Sequence, residues 1–432
     1  MLDFRYLAEH TYILLTIGSI FLHEYIQYMF GCTSMKTCYT NIINRSIKYN
    51  VLIVKIMQAL TAKFEIHPEI HAVLTQNTHN VKYYEEELDQ ILLDNICKNY
   101  GLRLLDTKPF HSGMISVVYL GEINGEQVVI KMKRTNIESR IKNGSDNVIF
   151  IYDLLKFVFS YNTELISKLE SLKSITKTQE YLIAQCDFNK EIDALITTKQ
   201  EMTTYSICEN IVIPKVYNTE EDIQTGDFII MEFLEGKFAS ELIDDDDRKK
   251  YYKIFATFMA IHTFYSKYFH TDMHNGNILC MNCDGVYKIG IIDFGMNVAI
   301  QKDIQKALFS FSEIMYVTGL DNAKLHVHLN AFVTKPIDLS LLNHTQLSAI
   351  DKSMCFMAHH MQSGDLNEEH INQTYNELSN TLKNQSTIEW NMNFILMILG
   401  VSMANSTVRI MMRNDIKSIE NTLKEIYFEM ME

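Results

Sequence analysis

The stretch Phe269–Gly295 carries the side chains best suited to chemistry. It reads F-H-T-D-M-H-N-G-N-I-L, then a hairpin-like spacer, then Y-K-I-G-I-I-D-F-G. Asp272 is a carboxylate that can orient or deprotonate an attacking hydroxyl. Asn277 and Asp293 offer an amide and a carboxylate oxygen, hard donors that suit magnesium and few other ions. A base, an amide and a D-F-G aspartate in this order are the parts needed to move the terminal phosphoryl group of ATP. The D-F-G triplet alone carries little weight, since any strand end can hold it. The two halves together are specific.

A zinc reading competes for the same loop, because His270 and His274 are spaced like two ligands on one helical face. Asn275-Gly276-Asn277 follows at once and breaks a helix, and Ile278-Leu279-Cys280 then reads as a strand. His270 is therefore expected to pack and hydrogen-bond within the loop, as the histidine of a kinase catalytic loop does. His274 has no assignment from the sequence.

The elements that must position these residues fit a chain of 432 residues, long enough for one large domain or two lobes. Hydrophobic residues make up 47% and charged residues 21%, ordinary globular values. A net charge of -14 argues against a general nucleic-acid binder, which would carry a basic stripe. Eight cysteines do not form a disulfide pattern in a chain this long, so a reducing compartment is expected. Cys280 and Cys283 flank a turn ending in Asp284-Gly285 and have no second pair at zinc-ribbon spacing. Near the start, Tyr12–Leu22 is uncharged and mostly apolar, and Tyr25–Phe30 prolongs it. A spanning helix needs about 20 apolar residues, so a buried or interfacial helix is expected. No basic n-region, cleavage site or arginine-rich transit pattern is visible.

Ile47–Ala62 is expected to be helical with Ser46 as N-cap, and Lys82–Tyr100 is expected to form an amphipathic helix stopped by Gly101. The period then changes. Ile115–Gly121 and Gln127–Met132 read as strands joined at Asn124-Gly125. Lys131 lies inside the second, V-V-I-K, where its ammonium needs a partner. A helix is expected over Phe188–Ile207. Glu191 in its first turn either pairs with Lys131 or simply favours the helix dipole. Strands follow near Ile211–Val216 and Gly226–Gly236. Backbone groups around Met231, Glu232 and Phe233 are placed to hydrogen-bond adenine. The acidic run Asp244–Asp247 reads as a solvated helix start, and Arg248–Tyr268 as the helix that delivers the chain to the loop. Everything after Gly295 reads mainly helical.

These residues resemble the UbiB family of ADCK-like atypical kinases linked to coenzyme Q metabolism. Its catalytic loop has the form H-x-D-x-H-x-G-N rather than H-R-D. The resemblance runs from about Val51 to Met296. Lys55-Ile56-Met57-Gln58 stands where the family has K-x-G-Q on a helical extension over the active site, which implies a gating role for Lys55 and Gln58. K-P-F-H-S-G-M-I-S-V-V-Y, C-D-F-N-K-E-I-D-A, I-P-K-V-Y and M-E-F-L-E-G follow in family order. Departures are clear. The alanine-rich nucleotide loop is His111-Ser112-Gly113-Met114, with Ser112 and Gly113 the candidate phosphate contacts. The glycine of K-x-G-Q is Met57. Gln185 replaces an acid ahead of Asp187, and Met273 and Asn275 stand where the loop has prolines. Lys131, Glu191, Asp272, Asn277 and Asp293 all survive.

The resemblance implies an α+β, bilobal protein-kinase-like fold. Residues 1–100 would form a helical N-terminal extension, 101–236 a small β-rich lobe and 237–432 a large helical lobe. It implies ATP and Mg2+ as cofactors, with Asp272, Lys131 and Glu191 catalytic and Asn277 and Asp293 on the metal. No A-P-E follows the D-F-G, so a small-molecule or lipid-linked acceptor, or ATP hydrolysis, is expected rather than a peptide. A lipid or membrane surface is a candidate partner. A nucleotide-binding pseudokinase scaffold and a divergent protein kinase are the alternative readings.

Overall fold

A computed structural model describes residues 4–53, 81–159, 179–319, 323–363, 366, 368–382, 389–413 and 415–431. The chain forms two compact units, one of Met1–Asn189 with Tyr217–Phe233, the other of Lys190–Val216 with Leu234–Glu432. The expected α+β, protein-kinase-like class holds: an antiparallel sheet in the first unit, and mainly helices in the second. Lys55 and Gln58 lie outside the described residues.

In the first unit the sheet runs Arg103–Leu104, Ser116–Ile123, Glu126–Lys133, Phe228–Glu232, with His111–Ser112 paired to Ser116–Ile123. The long hairpin turns at Asn124 and Gly125, both at positive φ (53° and 88°), as a tight two-residue turn between right-twisted strands requires. Alternate residues Val117, Tyr119, Val128 and Ile130 are buried against Leu93 and Ile96 of the Gln90–Tyr100 helix. That helix stops at Gly101 (φ 60°) as expected. It starts eight residues later than expected, with Asp89 capping Leu92 N–H. The preceding segment is instead a short 3-10 turn, Glu85–Glu87, whose last carboxylate is drawn inward.

Two further departures concern helices. Ser46 is the buried last residue of the Met35–Ser46 helix, not an N-cap. A 22-residue helix, Ile137–Val158, occupies a stretch to which the sequence assigned no element. Its middle reads Gly144-Ser145-Asp146-Asn147, a turn-like run. Gly144 is there for close packing: a Cβ would sit 2.7 Å from Asn50 Oδ1. Asn50 Nδ2 donates to the Gly144 carbonyl at 3.1 Å. The Phe4–Met29 helix packs on Met35–Ser46 through buried Glu24, which accepts from Asn41 and Arg45, and leaves Tyr12, Leu15, Leu22 and Met29 exposed.

In the second unit Ile211–Val212, Val286–Ile291, Ile278–Cys283 and Lys237–Phe238 form one sheet, and Tyr268–His270 pairs with Asn297–Ala299. The Asp245–Phe264 helix is capped by Asp244, which accepts from Asp246 and Asp247 N–H, so the acidic run is a helix start. The Met392–Met412 helix is, among the described residues, long and apolar enough to cross a membrane. Half of its apolar window is buried within the structure, as in a core helix.

Candidate active site

The loop geometry in the second unit follows from its strands. Tyr268–His270 ends directly at the loop, and the Ile278–Cys283/Val286–Ile291 hairpin, closed by Asp284 and Gly285, carries the chain from Asn277 to Asp293. His270 is fully buried and joins the two ends. Its Nδ1 accepts from Asp272 N–H at 3.1 Å, so its proton sits on Nε2, which donates to the Asp293 carbonyl. Burial lowers the His270 pKa, keeping the neutral form that this pairing needs. Both ring nitrogens are thus engaged inside the protein, which removes His270 as a zinc ligand. Asn277 Nδ2 donates to the Asp272 carbonyl at 2.8 Å, and Ile292 N–H donates to the Asn277 carbonyl at 3.1 Å. Asp293 Oδ1 accepts from Gly295 N–H at 2.8 Å.

The donor set fits magnesium. Asn277 donates through Nδ2 to the Asp272 carbonyl, so its side-chain oxygen is the atom that would ligate, and Asp293 would add a carboxylate oxygen. Among the described residues no group of three or more His, Cys, Asp or Glu side chains could hold a metal by itself. Two protein oxygens completed by phosphates and water are how magnesium is usually held.

His274 gains an assignment. Its Nδ1 accepts from Gly276 N–H at 3.0 Å, capping the Asn275–Asn277 turn, so Nε2 carries the proton of the neutral ring. Nε2 lies 3.7 Å from Asp272 Oδ2.

The departures from the family loop are each accommodated. Met273 is fully buried, and its carbonyl accepts from Thr407 Oγ1 at 3.0 Å. Asn275 exchanges two hydrogen bonds with Ser240, each 3.1 Å. The supporting helix Met392–Met412 was not singled out in the sequence. A Cβ on its Gly400 would lie 2.7 Å from Phe269 Cε1 and 2.8 Å from Thr271 Cα. Gly400→Ala is therefore expected to destabilise by about 1–3 kcal/mol through overpacking against backbone. At an unobstructed helix position the same change would stabilise, so the sign of the shift in a denaturant titration checks the contact.

His262, on the Asp245–Phe264 helix, is another supporting residue that the sequence did not mark. It stacks between Phe258 and Phe269, and its Nε2 accepts from His270 N–H at 2.9 Å. Burial pushes its pKa down to about 3. The folded protein keeps this ring neutral while the unfolded chain takes up a proton below about pH 6.5, so stability is whole above that pH and falls with acidification. Between pH 7 and 5 the loss from His262 is about 2 kcal/mol. Urea titrations of the wild type and His262→Gln at both pH values check it: the variant should lose about that much less.

In the first unit Lys131 lies on the central strand Glu126–Lys133, 8% exposed, with Nζ 5.5 Å from the Phe188 ring centre. Glu191, in the second unit, is 2% exposed in the first turn of the Phe188–Thr204 helix. Ser112 is buried, and its hydroxyl accepts from Arg134 at 2.7 Å. Gly113 N–H donates to the Ser116 carbonyl at 2.8 Å, and Phe233 N–H to the Gln127 carbonyl at 3.1 Å. These groups, expected to face nucleotide, are bonded within the unit. Met231 and Glu232 pair across the sheet with Val129 and Val128. The sequence carried no signal for Arg134, the largest fully buried side chain among the described residues. It meets Glu87 at 2.5 Å, while Arg140 reaches the other Glu87 oxygen at 2.8 Å.

The model of the ABC1 atypical kinase-like domain matches residues 44–327. An uncharacterized aarF domain-containing protein kinase, chloroplastic, of Arabidopsis thaliana is 24% identical over 224 residues, which cover 49% of this chain. The chain spans only about two fifths of that relative, 39% of its length. Among solved structures, the Rv3197–erythromycin complex from Mycobacterium tuberculosis is 11% identical (TM-score 0.42), with 87% of this chain and 88% of that one covered. The Rio2 kinase–ADP/Mg2+–phosphoaspartate complex from Chaetomium thermophilum is 11% identical (TM-score 0.32), with 77% and 96% covered.

Proposed function

Because this chain belongs to the ABC1 atypical kinase-like family, we propose that it binds ATP with magnesium and transfers or hydrolyses the terminal phosphoryl group. The observation that carries this reading is the interlock of the loop, in which neutral His270 ties Asp272 to Asp293 while Asn277 is fastened to the Asp272 carbonyl. Groups held through backbone in this way are preorganised, and preorganisation is most of what phosphoryl transfer asks of a protein.

In the proposal Lys131 holds the α- and β-phosphates, and Glu191 orients its ammonium. Asn277 and Asp293 would hold magnesium, which supplies the positive charge that offsets the moving phosphoryl group. Asp272 orients the attacking hydroxyl or water and accepts its proton. His274 Nε2–H steadies the Asp272 carboxylate. The acceptor is a small-molecule or lipid-linked hydroxyl. The exposed apolar side chains of the Phe4–Met29 helix support contact with a lipid or membrane surface.

A nucleotide-binding scaffold is the second reading, favoured by the internal bonding of the Ser112 hydroxyl and the Gly113 amide. Thermal unfolding with Mg-ATP, beside a phosphate-release assay, separates the two. A raised midpoint with release supports the enzyme. A raised midpoint without release supports the scaffold. No shift at millimolar Mg-ATP overturns both.

A further inference from the structure

The second unit holds an apolar cavity of about 140 Å3 between the Asp245–Phe264, Met392–Met412 and Ile416–Met431 helices and the π-turn Ile314–Thr318. Its volume is close to that of an engineered cavity that takes up benzene, although this one is partly open to solvent. Among the described residues no charged side chain lines it, which excludes nucleotides, phosphates and other ions on desolvation grounds. Four methionines, Met259, Met315, Met361 and Met430, contribute to its wall, and their unbranched side chains adapt to a guest.

Two polar groups in this wall are left over. Asn405 Nδ2 and the Tyr427 hydroxyl are both buried and make no hydrogen bond. An unsatisfied buried donor is costly, and π-turns cluster at functional sites. We propose that the cavity is a binding site for an uncharged apolar small molecule of about the size of one ring, carrying a carbonyl oxygen that accepts from Asn405 and Tyr427. Its occupancy bears on the loop through a shared wall. Ala404 and Asn405 face the cavity, while Gly400 and Thr407 of the same helix touch Thr271 and Met273 of the loop. This regulatory half rests on the reading of that loop as catalytic; the binding half does not.

The test uses the full chain without nucleotide, so its failure is distinct from failure of the ATP reading. Acetophenone and ethylbenzene, alike in shape but differing in the carbonyl, are titrated calorimetrically and in thermal unfolding. Acetophenone should bind saturably and raise the midpoint by about 3 °C at a hundredfold excess over its dissociation constant. Ethylbenzene should bind at least about tenfold more weakly, and Asn405→Leu should erase that difference. Filling the space with Ala404→Leu, or with the milder Ala260→Val if that variant fails to fold, should weaken both probes. Absence of saturable binding, equal binding of the two probes to the wild type, or undiminished binding to a folded space-filling variant would overturn the site. Bound acetophenone should also slow amide hydrogen exchange at residues 271–277; unchanged exchange there would overturn the link to the loop.

Discussion

Asp272→Asn is expected to lower phosphate release from Mg-ATP by about 10²- to 10⁴-fold, the range ascribed to a positioned proton acceptor, while nucleotide affinity changes little. The substitution keeps shape and hydrogen-bonding capacity but removes the negative charge and the basicity. The loop should keep its geometry, because the contacts that hold position 272 are made by its backbone: the N–H donates to His270 and the carbonyl accepts from Asn277. A loss of turnover with intact binding therefore assigns chemistry to the carboxylate itself. Full retention of turnover would show that another group takes the proton. His274→Ala is the companion measurement. It removes the imidazole beside Asp272 Oδ2 and the cap on Gly276 N–H, so a smaller fall in kcat is expected.

The largest stability effect is expected at Glu87. Its carboxylate lies between Arg134 and Arg140, and the Arg134 side chain is wholly buried. Burial pulls the Arg134 pKa down, and the Glu87 charge acts against that pull. The two terminal nitrogens of Arg134 also reach the carbonyls of Val81 and Lys82 and the Ser112 hydroxyl, while the buried Nε–H has no partner among the described residues. Glu87→Gln would leave a guanidinium in the interior without its counter-charge, a change that costs about 3–5 kcal/mol when one partner of a buried pair is removed. The urea midpoint of the first unit checks this, with Lys48→Ala as the contrast. The Lys48–Glu86 pair beside it is 3.0 Å apart but exposed on both sides, so its loss should leave the midpoint nearly unmoved. A Glu87→Gln midpoint as little changed as that of Lys48→Ala would contradict the assignment.

The candidate loop stands out in the sequence because the chemistry proposed for it demands particular residue types at particular spacings, and the strands were legible because Asn124-Gly125 and Asp284-Gly285 are strong turn signals between β-branched runs. What escaped is local sequence overruled by tertiary contact. Gly144-Ser145-Asp146-Asn147 looks like a turn, yet it lies mid-helix because Gly144 lets Asn50 come close. The first turns expected of the Lys82–Tyr100 helix are absent; there Glu87 faces Arg134, far along the chain. Serine is common at N-caps, yet Ser46 is buried in the last turn of the Met35–Ser46 helix. His262 acts on the loop from the helix just before it and Gly400 from a helix remote in sequence, and no motif marks either. Ser112 and Gly113 carry hydrogen bonds that their motif does not announce. Their position in the chain matches a nucleotide loop, whereas their hydrogen bonds are spent within the unit.

The central claim is that Asn277 and Asp293 bring magnesium to ATP, and calorimetric titration of ATP with and without Mg2+, in the wild type and in Asp293→Asn, tests it most directly. Removing Mg2+ is expected to weaken ATP binding at least about tenfold, and Asp293→Asn to reproduce this loss with Mg2+ present. ATP binding that is the same in all three cases, or absent from the wild type at millimolar Mg-ATP, would contradict it.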